Sequence, residues 1–267
     1  MCVRRVTHDA IFAPPQRTRR SIGWNQRPSA TERPINVRQF FGNRLNTETY
    51  LGLHLTLSLI IAAGALWVFA ATFEAVLDNA TMVRWDFAAA AAIHARTTAP
   101  GLRVFNAVSH AGSPTTMGVI ATAGIITLWV QRRRTLIVTW IAAFWGGAVL
   151  ENILKHVVGR TRPEYGTAFL TDRSLSFPSG HAMMATVGLG MLVYVLIVTR
   201  AIDGWVRVLV IAGAAMCVLL VGLSRIYIGV HYPSDVLGGI TAGSAWLAVC
   251  VSVAGVVLHH RGHSLAR

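Results

Sequence analysis

An all-α, polytopic membrane fold with six spanning helices is what this sequence predicts, and three observations predict it. Hydrophobic residues make up 54% of the 267-residue chain and charged residues only 13%, against roughly 25% charged in a soluble domain. Mean hydropathy is positive, +0.52. The apolar residues are gathered into runs that match a bilayer core needing about 20 residues per helix. The basic excess, 24 Lys+Arg against 11 Asp+Glu for a formal charge of +13, invites a nucleic-acid reading, but its placement rejects it. Nine arginines lie in the first 50 residues and the others mostly in short linkers between apolar runs, where charge sets membrane topology.

Residues 1–50 are polar, arginine-rich and broken by Pro14, Pro15, Pro28 and Pro34. They read as a disordered basic tail, solvated or lying on anionic lipid head groups. A twin-arginine export signal at Arg19-Arg20 is excluded, because no apolar run follows for about thirty residues; the first run reads as an uncleaved anchor. Spans are expected at 51–73, 104–130, 135–157, 179–199, 206–224 and 233–258 within a single 51–258 membrane domain, followed by a 259–267 tail. Between the first two, residues 74–103 mix Asp78, Arg84, Asp86 and Arg96 with an alanine run and read as an interfacial amphipathic segment capped by Pro100-Gly101. Gly239 and Gly243 form a small-xxx-small face in the last span. Cys2, Cys217 and Cys250 lie far apart and read as small hydrophobes, with no disulfide framework and no metal cage.

With the arginine-rich linkers on the cytoplasmic side, a six-span serpentine puts the ends of odd spans and the starts of even spans on the opposite, extracytoplasmic face. Three polar islands fall there. The first is Lys155, six residues, then Arg162-Pro163; Lys155 is the sole lysine of the chain. The second is Pro178-Ser179-Gly180-His181, and the third is Ser224-Arg225, five residues, His231, three residues, Asp235. These residue types suit phosphate chemistry. Lys155, Arg162 and Arg225 supply point charge and forked hydrogen bonds. Ser179 and Gly180 open a helix whose N-terminal N–H groups favour an anion. Asp235, four residues after His231, is placed for a helical turn to set its carboxylate on one imidazole nitrogen, leaving the other for attack. His181 is then the candidate proton donor to a departing oxygen.

The pattern K-x6-R-P, P-S-G-H and S-R-x5-H-x3-D resembles the type 2 phosphatidic acid phosphatase family, the membrane branch of a superfamily shared with vanadium haloperoxidases. Every motif position matches in order, over roughly residues 50–258. The resemblance implies a metal-independent lipid phosphate phosphatase without cofactor. In that family scheme His231 forms a phosphohistidine, Asp235 stabilises the imidazolium and His181 protonates the leaving group, while Lys155, Arg162, Ser179, Gly180 and Arg225 hold the phosphoryl oxygens. Phosphatidic acid, phosphatidylglycerophosphate and a polyprenyl diphosphate all qualify as substrates, and the protein is placed in the plasma (inner) membrane of a bacterium.

Bland alternatives accompany each residue. Lys155 and Arg162 also fit interfacial anchors, Ser179-Gly180 a plain helix start, and His231 with Asp235 a structural pair. Glu151 is spaced to bridge Lys155 at i, i+4. His110 and His156 read as packed or interfacial, and His259, His260 and His263 as a solvated tail. Rival functions are a phosphotransferase using the same phosphohistidine and a non-catalytic transporter of anionic lipids. Haloperoxidase chemistry is set aside because those relatives are soluble.

Overall fold

The computed structural model describes residues 50–78, 81–165 and 175–264. The basic tail expected over 1–50 therefore lies almost wholly outside the described residues. Eight helices are described: α1 Tyr50–Leu77, α2 Thr81–His94, α3 Ala99–His110, α4 Pro114–Val130, α5 Arg134–Val158, α6 Gly180–Val198, α7 Gly204–Tyr227 and α8 Pro233–Ser264. Six segments are long and apolar enough to cross a membrane: Thr56–Leu77, Ala99–Val130, Arg134–Val158, Gly180–Val198, Gly204–Tyr227 and Pro233–His259. The expected all-α, six-span architecture is therefore present, with three local corrections.

The second span is not one helix starting near residue 104. It is α3 followed by α4, broken at Ala111–Ser113. Local chemistry explains both starts. Thr98 caps α3 by accepting from the Gly101 N–H at 3.2 Å, with Pro100 in the first turn. Ser113 likewise caps α4 by accepting from the Thr116 N–H at 3.2 Å, ahead of Pro114. Proline fits a first turn because its missing N–H has no intrahelical partner to lose. Pro100-Gly101 thus starts a helix where it was expected to close a segment.

The second correction concerns residues 74–103. Part of this stretch is the helix α2, and it packs on α7 and α8 as well as α1. Its Asp86 is buried, at 3% exposure, which an interfacial segment does not explain. The third correction is smaller: α7 runs on to Tyr227, past the expected boundary at 224, with Ser224-Arg225 in its last turn, at the end of the span as expected.

The core sits around α6, the most enclosed of the six spans. Lipid offers no water to escape, so tight van der Waals packing is what joins such helices. Trp140 and Phe144 of α5 stack with ring centres 5.3 Å apart and pack with Met117, Val187 and Met191. The buried indole of Trp140 is satisfied by donating to the Ala121 carbonyl at 3.0 Å. The small-residue face of α8 closes on α6 as its spacing predicts. A Cβ added at Gly239 would come within 2.5 Å of the Ser179 carbonyl, and one at Gly243 within 2.9 Å of the Met183 carbonyl. Outward faces carry Leu59, Trp67, Trp129, Trp145 and Trp205, all exposed, as lipid-facing surface requires.

Candidate active site

Helix ends position the three islands. α5 stops at Gly159, whose φ of +64° is a left-handed helix cap, with its N–H on the Lys155 carbonyl at 2.9 Å. Glycine takes that conformation without the strain a β-carbon adds, and the chain turns at once into Arg160–Pro163. α6 begins at Gly180, and its N-cap, Ser179, makes no side-chain cap hydrogen bond. The Ser179 hydroxyl is buried and meets no partner among the described residues. α7 delivers Arg225 in its last turn, and α8 begins at Pro233, two residues after His231.

These ends meet at a cavity of about 780 Å³. One part is polar and is walled by Glu151, Lys155, Arg162, Gly180, His181 and His231. The other part runs between α4, α5 and α6 and is walled by Met117, Ala121, Phe144, Trp145, Ala148 and Met184. Polar and apolar side chains thus line one and the same cavity.

His231 lies in the bend before α8, so the helical-turn pairing with Asp235 takes a different form. Asp235 stands at the third position of α8 and accepts the Tyr232 N–H at 2.8 Å, the reciprocal half of a capping box. The same oxygen, Oδ2, lies 3.6 Å from His231 Nδ1. Ser176 donates its hydroxyl proton to that oxygen, and its Oγ is 3.4 Å from Nδ1. His231 is buried, and that burial, opposed by the Asp235 carboxylate and aided by the Arg162 and Arg225 guanidiniums, pushes its imidazole down to about 4. The ring is therefore neutral at neutral pH, with Nδ1 turned to Asp235 and Ser176.

Behind Asp235 lies a charge network that sequence reasoning missed. Arg160 donates to Asp235 Oδ1 at 2.7 Å, to Ser234 Oγ at 2.7 Å and to Asp86 Oδ2 at 2.9 Å. Its guanidinium also lies over the Tyr232 ring, 4.2 Å from the centroid. Asp86 accepts the Ser234 N–H at 3.0 Å and the Ser234 hydroxyl. One arginine therefore joins two carboxylates that both bind the first turn of α8. The signal for Arg160 was its place two residues before Arg162. Asp86 was visible as a carboxylate in an apolar stretch, but its partner stands 74 residues away, and no periodicity announces that. Ser176 carried no signal of its own.

Of the sequence-predicted residues, Lys155, Arg162, Gly180, His181 and His231 share the cavity wall. Asp235 and Ser179 stand behind them, fully buried, joined by the Ser179 N–H donating to the Asp235 carbonyl at 2.9 Å. Arg225 does not line the cavity; its Nη1 donates to Ser109 at 2.7 Å. Glu151 does bridge Lys155, at 2.8 Å. Its carboxylate also lies so close to Gly180 that a Cβ there would collide with it. Among the described residues no group of three His, Cys, Asp or Glu side chains forms a metal cage.

Comparison with known proteins follows the same outline. The family model described as the PAP2 superfamily matches residues 134–257. The chain is 34% identical over 103 residues to phosphatidylglycerophosphatase B of Bacillus subtilis, covering 39% of this chain and 50% of the relative. It is 35% identical over 143 residues to decaprenylphosphoryl-5-phosphoribose phosphatase of Mycobacterium tuberculosis, covering 51% of this chain and 71% of the relative. The first of these is matched over only half of its length. In fold, the chain is similar to the crystal structure of a transmembrane PAP2-type phosphatidylglycerolphosphate phosphatase from Bacillus subtilis. That likeness has a TM-score of 0.64 at 24% identity, over 71% of this chain and 93% of the other.

Proposed function

Because the chain belongs to the PAP2 superfamily, we propose that it is a lipid phosphate phosphatase that works through a phosphohistidine on His231. The observation that carries this reading is the single cavity in which a neutral, buried histidine faces Lys155, Arg162 and the start of α6 while an apolar arm leads away between helices. The substrate is a phosphate or diphosphate head on a hydrophobic tail: phosphatidic acid, phosphatidylglycerophosphate or a polyprenyl diphosphate. Relatives named as phosphatidylglycerophosphatase B and undecaprenyl-diphosphatase support that class.

The steps balance without a metal. Nε2 of His231 attacks phosphorus in line, the P–O bond to the leaving group breaks, and His181 gives that oxygen a proton. Asp235 and Ser176 hold Nδ1 and stabilise the charge the ring gains. Water then attacks the phosphorus as His181 takes back a proton from it, the N–P bond breaks, and phosphate leaves. Lys155, Arg162, Ser179 and the N–H groups at Gly180 hold the phosphoryl oxygens, where preorganised charge contributes most to the barrier, and Arg225, held by Ser109 behind the cavity wall, adds positive field. The Ser179 hydroxyl, without a partner among the described residues, is free to donate to phosphate.

The test is phosphate release by purified protein in detergent with EDTA, on those three lipids, comparing wild type with His231→Ala. The proposal expects release by the wild type and a loss on the order of a thousandfold or more in the variant. Chelator-sensitive turnover contradicts the metal-free route. Product phosphate appearing only when an alcohol acceptor is supplied, and then as its ester, assigns a phosphotransferase instead. Lipid movement that survives His231→Ala assigns a transporter.

A further inference from the structure

A second cavity, of about 590 Å³, lies at the other end of the bundle, where α1, α6, α7 and α8 come together. Gly180 begins α6 at the candidate active site, whereas this cavity takes residues from the far end of α6 and the turn that follows. Its rim carries Arg200, Arg207 and His259, with Asp203 as the one carboxylate. Its depth is apolar, walled by Ile197, Val251 and Leu258. A cavity that is cationic at the helix ends and apolar toward the bilayer centre has the polarity of a phospholipid in one leaflet.

One observation makes the rim more than a scatter of topology-setting charge. Among the described residues the buried Arg207 Nε has no hydrogen-bond partner, a costly state for a guanidinium nitrogen unless an acceptor arrives. Arg200 shares the rim with it. Asp203 does not explain either residue, since the ion pairs of the described residues do not join it to them. The N-terminal tail is a poor occupant, because nine arginines against three carboxylates over residues 1–50 repel this rim.

We propose that this cavity is a second, non-catalytic lipid site that takes one anionic phospholipid, its phosphate on Arg200 and Arg207 and its acyl chain in the apolar depth. The lipid wedges between α1, α6, α7 and α8 and holds the end of the bundle that the active site does not touch. Nothing here depends on phosphatase chemistry at His231.

Native mass spectrometry of the full detergent-solubilised chain, titrated with phosphatidylglycerol, tests it. The expected result is one retained phosphatidylglycerol that phosphatidylcholine does not replace and inorganic phosphate does not displace. Arg200→Gln with Arg207→Gln weakens it at least about tenfold, while Lys155→Gln, in the other cavity, leaves it bound. Retention unchanged in the double variant overturns the proposal. So does loss in Lys155→Gln, which places the lipid in the active-site cavity. Equal binding of phosphatidylcholine reduces the site to an apolar slot, and displacement by phosphate reduces it to a simple anion site; both overturn it. If the double variant does not fold, Gly255→Leu decides. A Cβ at Gly255 meets nothing within 4 Å, so leucine fills the cavity without touching its charges. Loss of the lipid then supports the proposal, and retention overturns it.

Discussion

At the scale of single residues, the proposed chemistry rests on a histidine kept neutral by burial and oriented by a carboxylate. Burial sets His231 at about 4, well below the ordinary 6.5. A neutral imidazole is the attacking form, so activity is lost as pH falls through the depressed value. We therefore expect the acid limb of kcat/KM, corrected for ionisation of the substrate phosphate, near pH 4 and not near 6.5. A limb near 6.5 contradicts the buried, neutral ring. Glu151 makes a second prediction. Its carboxylate pairs with Lys155 and sits against the start of α6, the ground a phosphate oxygen needs. Substrate must displace it or share Lys155 with it. Glu151→Gln removes that competing charge, so inorganic phosphate should inhibit about tenfold more tightly, an increment typical of a charge-assisted contact. Unchanged or weaker inhibition, measured by product-inhibition kinetics, shows that Glu151 supports the site and does not compete for it.

At the scale of elements, the first turn of α8 is the piece on which the site depends. Asp86 from α2, Arg160 from the α5 exit and Asp235 from α8 itself tie three segments into one buried network. Removing the shared cation strands two buried carboxylates, which costs about 3–5 kcal/mol when one partner of a buried pair is lost. Arg160→Gln is therefore expected to lower Tm sharply in detergent. Combining it with Asp86→Asn should cost less than the sum of the single changes, because one stranded charge is removed. Strict additivity, read by thermal unfolding, contradicts the network. Arg160→Lys should recover little, since a point charge cannot fork to Asp86, Ser234 and Asp235 together. This network also marks where sequence reading stopped. Spans, the three islands and the Gly239–Gly243 face were legible because each is a local pattern of hydropathy, spacing or residue size. The break at Ala111–Ser113 was missed, because hydropathy continues across it and hides the Ser113-Pro114 cap. Asp86, Ser176 and Ser109 were not legible, since what each touches lies 55 or more residues away and only the folded bundle brings the partners together.

At the scale of the whole molecule, the helices form a serpentine with chemistry at one end and arginine-rich turns at the other. Arg132 and Arg200, both at φ +56°, lie in the α4–α5 and α6–α7 turns, away from the cavity that holds His231. From the positive-inside rule we propose that the active site faces outward. Cysteine labelling in intact cells is expected to reach a cysteine placed at Tyr165 and to miss one placed at Arg133; the reverse pattern moves the chemistry to the cytoplasmic leaflet. In the proposed function, orientation, lipid entry and head-group capture serve one covalent step, and that step can be measured directly. Wild-type protein is mixed with a lipid carrying a radiolabelled terminal phosphate, quenched within milliseconds, and the trapped phosphoenzyme is mapped. We predict an acid-labile, base-stable label on His231, absent from His231→Ala and accumulating in Asp235→Ala only slowly. Full turnover with no label at His231, or with His231→Ala still active, contradicts the phosphohistidine.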